Sequence, residues 1–240
     1  MSLREIGLQH KSEQSPKYSV FSTEFLTSIA VALTLVAINM VLIIGFADTP
    51  IAAATMWLYT DAPLAPFAGL LVFGGALTIG RSVGLEAMRD ERLGLSIAMA
   101  VLVQVAYGAF AGGIITGYAS GVAATAVLIT LAGTTGYMLL VSAVVYATDI
   151  SFKPCRTISG LLMIGGIISV FLTSTIGVNA LALLGFALIT LGFMVDMIYE
   201  IWHTSNKHIS PVFNGFAVYI AFMGVFVHVL QLVLEAIAND

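Results

Sequence analysis

Residues 158–201 read ISGLLMIGGIISVFLTSTIGVNALALLGFALITLGFMVDMIYEI, an apolar run with no charged side chain before Asp196. A helix needs roughly 20 apolar residues to cross a membrane, because the hydrocarbon core is about 30 Å thick and each residue rises 1.5 Å. The run is about twice that length, so it predicts two spans. Gly177 and Asn179 are its best turn residues, and we place the break at 176–179.

The composition of the whole chain extends this conclusion. Of its 240 residues, 59% are hydrophobic and only 9% are charged, whereas soluble domains carry roughly 25% charged residues. A chain so poor in charge must face lipid over most of its area, which predicts an all-α integral membrane protein with the lipid bilayer as its first partner. The net charge of -4 and the lack of a basic run argue against a nucleic-acid partner.

Seven stretches qualify, or nearly qualify, as membrane spans. They predict one seven-helix transmembrane domain over residues 25–236, with a polar tail at 1–24 and a short end at 237–240. The predicted spans are Phe25–Phe46, Leu64–Gly80, Leu93–Ala111, Tyr118–Ala147, Ile158–Ile176, Val178–Ile201 and Val212–Ala236.

Lysine and arginine predict the orientation, because they concentrate in cytoplasmic segments. With seven spans and a cytoplasmic N-terminus, the cytoplasmic segments are the tail, 81–92, 148–157 and 202–210, and all nine basic residues fall within them. We therefore expect a multi-pass protein of the cell membrane (the inner or plasma membrane if prokaryotic), with its C-terminus outside. The basic residues are Arg4, Lys11, Lys17, Arg81, Arg89, Arg92, Lys153, Arg156 and Lys207.

Ionisable side chains inside a membrane are costly to bury and therefore mark candidate sites. Asp196 lies in the last turns of the sixth span, and Glu200 follows four residues later on the same helix face. Two interpretations of Asp196 stay open: a carboxylate that gates or binds a cation, or one that pairs with Arg81 or Lys207 at the cytoplasmic interface. Glu200 is expected at that interface.

His228, in the seventh span, is either packed against a backbone carbonyl or a pH-responsive switch. No catalytic motif is present, so we expect no enzymatic activity, no catalytic residue, no metal site and no cofactor. His203 and His208 lie five residues apart, off the one-face spacing of a helical metal pair. Seven spans invite comparison with retinal proteins, but no span contains a lysine for a Schiff base.

Several stretches are similar to one family of membrane proteins. Residues 108–118 look like its glycine-bearing helix end and loop, and residues 125–146 with 149–152 look like its small-residue helix and acidic-aromatic loop. Asp196 stands where the family has Asp-Thr-Gln. Residues 218–226, VYIAFMGVF, stand where it tends to read Leu-Tyr-Leu-Asp-Phe-Ile-Asn-Leu-Phe.

From 91 to 235 the chain thus resembles the Bax inhibitor-1 family, also called the transmembrane Bax inhibitor motif family. The resemblance implies a seven-helix fold whose last helix is surrounded by the other six. It also implies a proton- and calcium-responsive latch made of two aspartates on the last two helices. Asp196 matches the first aspartate, but Ala221 stands in place of the second, and Met197 and Ile198 replace the polar residues after Asp196. Glu200 is the remaining candidate for a second carboxylate, although it lies on the same helix.

The leading functional hypothesis is a Bax inhibitor-1-like protein that permits a slow, pH-sensitive leak of cations such as calcium, or that modulates membrane stress. Asp196, Glu200 and Arg81 are its latch candidates. The alternative is a non-conducting scaffold that binds another membrane protein, such as a protease. A weaker alternative is a small-solute transporter, although we find neither a clear internal repeat nor helices broken at mid-membrane.

Overall fold

The computed structural model describes residues 23–61, 64–65, 67–206 and 210–238. Most of the predicted tail, Lys207, His208 and the last two residues lie outside these ranges. Within them the chain forms eight α-helices joined by short connections. They are α1 (Thr23–Phe46), α2 (Pro50–Thr60), α3 (Phe67–Arg89), α4 (Leu93–Ile115), α5 (Ser120–Ala147), α6 (Pro154–Ile176), α7 (Asn179–Asn206) and α8 (Pro211–Ala238).

Seven of these eight helices are long and apolar enough to cross a membrane, which confirms the predicted number of spans. The break inside the opening run is also confirmed. α6 ends at Ile176, and Gly177 caps it with a φ of 76°, a left-handed conformation that glycine adopts without a steric penalty.

Two helix ends differ from the prediction. We expected the second span to end at Gly80, but α3 continues to Arg89. Arg81 does not end the helix, because arginine is a strong helix former, and its charge is paired inside the protein. We also expected the third span to end at Ala111, before Gly112, but α4 continues to Ile115. Gly112 instead lets α4 approach the end of α1, where an added Cβ would meet the Ile43 carbonyl oxygen at 3.1 Å.

The additional helix, α2, was not predicted. It has 11 residues, too few to cross a membrane. Its beginning follows ordinary capping rules: Thr49 is the N-cap and accepts a hydrogen bond from the Ala52 amide, and Pro50 occupies the first turn. α2 packs against α3 and α4.

The last helix is the centre of the bundle. In the most apolar stretch of α8, 72% of the residues are buried, against 33% or less in each of the other six spans. It packs against α1, α3, α4, α5 and α7, while the most extensive interface of α6 is with α7. Close approach to α1 requires a glycine, because a Cβ on Gly215 would lie 2.6 Å from the Ser28 carbonyl oxygen.

Helix contacts define two ends of the bundle. α1, α4, α6 and α8 begin at one end, where α3, α5 and α7 finish; for example, Gly84 of α3 lies beside Met99 of α4 and Phe216 of α8. We call this the basic end, because every lysine and arginine of the described residues belongs to its loops or the adjoining turns. The opposite, acidic end carries Asp48, Asp61 and Glu235. The basic-end residues are Arg81, Arg89, Arg92, Lys153 and Arg156.

Candidate functional site

The three residues named as latch candidates come together between α3 and α7. Arg81 Nη1 donates a 2.7 Å hydrogen bond to Asp196 Oδ2, and Nη2 lies 3.5 Å from Asp196 Oδ1. The same Nη2 also donates to Glu200 Oε1. The i, i+4 spacing places both carboxylates on one face of α7. One planar guanidinium can therefore bind both. We refer to these three residues as the charged cluster.

The charged cluster is largely enclosed by protein. Asp196 and Glu200 are each 5% exposed, and the side chain of Arg81 is 26% exposed. Of the two interpretations of Asp196, the pairing with Arg81 is present. Glu200 is as buried as Asp196 and shares its partner. With both carboxylates ionised the cluster carries two negative charges and one positive charge, so it retains a net charge of −1.

Tyr107 of α4 lies near this cluster, close enough to interact electrostatically with Arg81 and Asp196. The Tyr107 hydroxyl donates a 2.9 Å hydrogen bond to the Ile220 carbonyl oxygen, and its ring packs edge-on against Tyr219. Tyr199 precedes Glu200, and its hydroxyl oxygen accepts a 3.3 Å hydrogen bond from Arg156 Nη1. These contacts connect the region of the cluster to the central helix and to the start of α6.

The two-helix aspartate pair implied by the resemblance is not formed. Ala221 is fully buried in α8 and offers no polar group. Both carboxylates of the cluster belong to α7, and the partner across the helix interface is the Arg81 side chain of α3. Asp196 is thus held by a cation rather than by a second carboxylate.

A cavity of about 760 Å³ extends from Arg81 toward the acidic end of the bundle. Its lining follows α8 from Ile220 to Glu235, a length of about 22 Å at 1.5 Å per residue. α3, α6 and α7 supply most of the remaining wall, and Met56 and Tyr59 of α2 contribute at the acidic end. Sequence reasoning did not find this cavity, because it arises from how the helices pack and not from a local pattern.

His228 lies in the wall of the cavity as a packed histidine. Its Nδ1 is 2.8 Å from the Gly224 carbonyl oxygen, one turn earlier on α8. Phe186 and Phe193 lie on its ring with centroid distances of 5.4 and 5.3 Å. These contacts agree with the first of its two predicted interpretations.

A second buried polar cluster joins α1 to α4. Asn39 Nδ2 donates to the Gln104 side-chain and backbone oxygens at 2.7 and 2.8 Å, and Gln104 Nε2 donates to the Leu35 carbonyl oxygen at 2.9 Å. We refer to Asn39 and Gln104 as the amide cluster. The described residues contain no group of three or more histidine, cysteine or acidic side chains that could hold a metal ion.

Comparisons with protein-family models, with curated proteins and with solved structures give no match. The resemblance to the Bax inhibitor-1 family therefore stays a hypothesis. The two features that bear on function are the charged cluster and the cavity that begins beside it.

Proposed function

We propose that this multi-pass membrane protein permits a slow, regulated movement of cations such as calcium or protons, in the manner of the Bax inhibitor-1 family. It resides in the cell membrane with its basic end toward the cytoplasm, and it has no enzymatic activity. The observation that carries the proposal is one arginine held by two buried carboxylates at the inner limit of a cavity.

The charged cluster would act as the latch. While Arg81 binds Asp196 and Glu200, its positive charge occupies the place where a cation would meet the carboxylates. In this state cations would not pass the inner end of the cavity. Protonation of the carboxylates, or competition by a cation for their oxygens, would weaken their hold on Arg81. A carboxylate that stays ionised would then be available to an entering cation.

Liposomes that contain the protein and a calcium-sensitive dye test this proposal. Asp196→Asn removes one of the two negative charges that hold Arg81, so we expect calcium entry at neutral pH to rise at least about threefold. Glu86→Gln is the matched control, because Glu86 is an exposed carboxylate on α3 outside the cluster. Equal flux from the wild type, the Asn variant and empty vesicles would contradict the proposal.

A non-conducting role is the second candidate, and the position of Ala221 favours it. An apolar, fully buried residue replaces the second aspartate, so the charged cluster would then be a fixed ion pair that joins α3 to α7. In that case the protein would act by binding other membrane proteins. Recovery of a specific membrane partner by pull-down from native membranes, together with a lack of flux, would support this alternative.

A further inference from the structure

The walls of the cavity carry two groups of aromatic side chains. On the side formed by α2, α3 and α4, the ring centroid of Phe110 lies 4.8 Å from that of Tyr59 and 4.4 Å from that of Phe73. On the side formed by α7 and α8, Phe186 and Phe193 lie against the ring of His228. All six residues line the cavity. Aromatic faces attract cations, most strongly where water is excluded.

The charged groups in the cavity lining differ between its two ends. Arg81 and Glu235 are the charged side chains in its described lining, and they stand at opposite ends. Asp196 and Glu200 are outside the described lining, but both bind Arg81 and offset its charge, so Glu235 provides the negative charge that a ligand meets at the acidic end. A negative charge beside low-dielectric walls attracts cations and repels anions.

We propose that this cavity is a binding site for hydrophobic organic monocations. Its volume of about 760 Å³ lies within the roughly 300–1,000 Å³ of small-molecule sites. The apolar wall would contact the hydrocarbon part of such a ligand, and the aromatic faces would contact its positive charge. Glu235 would attract the ligand at the acidic end. An anionic amphiphile would instead be repelled by the carboxylate of Glu235 at that end. The proposal rests on the cavity itself and not on cation conduction.

Binding of tetraphenylphosphonium to the purified full chain in a neutral detergent, measured by equilibrium dialysis, tests this proposal. Gly74 and Gly75 are adjacent on α3, and an added Cβ would have open space at both. Only Gly74 lines the cavity among this pair. We expect Gly74→Leu to weaken binding at least about tenfold by filling the site, while Gly75→Leu keeps the wild-type affinity. Equal loss in both variants would overturn the proposal.

A second pair of variants tests the contribution of charge. Glu235→Gln keeps the side-chain size but removes the negative charge, and we expect it to weaken tetraphenylphosphonium binding about threefold to tenfold. Glu86→Gln, outside the cavity, should leave binding unchanged. Tighter binding of oleate than of tetraphenylphosphonium would overturn the proposal. Co-purified phospholipid that the cation does not displace, seen by native mass spectrometry, would also overturn it.

Discussion

The charged cluster and the amide cluster both connect helices, but they do so with different chemical groups. Each is buried, and each joins two helices that are distant in sequence: Arg81 with Asp196 and Glu200 connects α3 to α7, and Asn39 with Gln104 connects α1 to α4. The amide cluster is neutral, so its hydrogen bonds are the same at any physiological pH. The charged cluster carries an excess carboxylate whose interactions change with protonation or with a competing cation. Because only the charged cluster responds to protonation or to a competing cation, the proposed regulation is assigned to it.

The largest expected effect comes from Arg81→Met. This change leaves two carboxylates buried without their cation, which should destabilise the fold by about 3–5 kcal/mol. Unfolding of the detergent-solubilised protein by sodium dodecyl sulfate, followed by tryptophan fluorescence, measures it. The triple variant Arg81→Met, Asp196→Asn, Glu200→Gln removes the uncompensated charges and should recover most of the loss. An Arg81→Met variant as stable as the wild type would show that the carboxylates do not depend on this arginine.

Gln104→Leu tests the amide cluster in the same assay. It removes the acceptor and donor of two side-chain hydrogen bonds, and we expect a loss of about 1–2 kcal/mol, because hydrogen bonds between membrane helices are individually modest. Asn39→Leu combined with Gln104→Leu should cost less than the two single losses added together, since neither side-chain amide is then left buried without the other. Strict additivity would contradict the assignment of these residues to one cluster.

Tyr107→Phe tests a contact that lies on the same helix as Gln104 and near the charged cluster. The Phe side chain keeps the ring packing and loses only the hydrogen bond to the Ile220 carbonyl oxygen. We expect a loss of about 0.6–1.5 kcal/mol in stability. A calcium flux that rises as it does in Asp196→Asn would assign Tyr107 to the latch, and an unchanged flux assigns it to packing.

The smallest effect is expected for His228→Phe. An aromatic ring is retained between Phe186 and Phe193, and one local contact with the Gly224 carbonyl oxygen is lost. We expect less than about 1 kcal/mol of destabilisation and no change in the pH dependence of calcium flux. Loss of that pH dependence in the variant would restore the switch interpretation of His228.

Much of the fold follows from local patterns that a sequence displays directly. Apolar runs of membrane length predicted the seven spans, and Gly177 predicted the turn between α6 and α7. The i, i+4 spacing of Asp196 and Glu200 predicted their common face, and burial cost made Arg81 a reasonable partner. The second partner considered, Lys207, lies outside the described residues.

There are physical reasons why the sequence did not predict the remaining features. The capping signal of α2, Thr49 followed by Pro50, is present in the chain, but a search for membrane-length runs passes over an 11-residue helix. The end of α3 was placed too early, because a charged residue looks like a span boundary when its partner is unknown. The cavity depends on how helices pack at several interfaces, and local sequence patterns do not predict that packing.

The central position of α8 also has a consequence for how the chain assembles. The helix that fills the middle of the bundle follows the other six spans in chain order, and it packs directly against α1, the first of them. During synthesis the earlier spans enter the bilayer before their shared neighbour exists. These spans pack against one another, as α6 does against α7 and α3 against α4, but the core that five of them share with α8 is complete only after α8 is inserted. We therefore expect the final step of assembly to follow insertion of α8, and mutations in α8 to trap the protein as a partly assembled bundle.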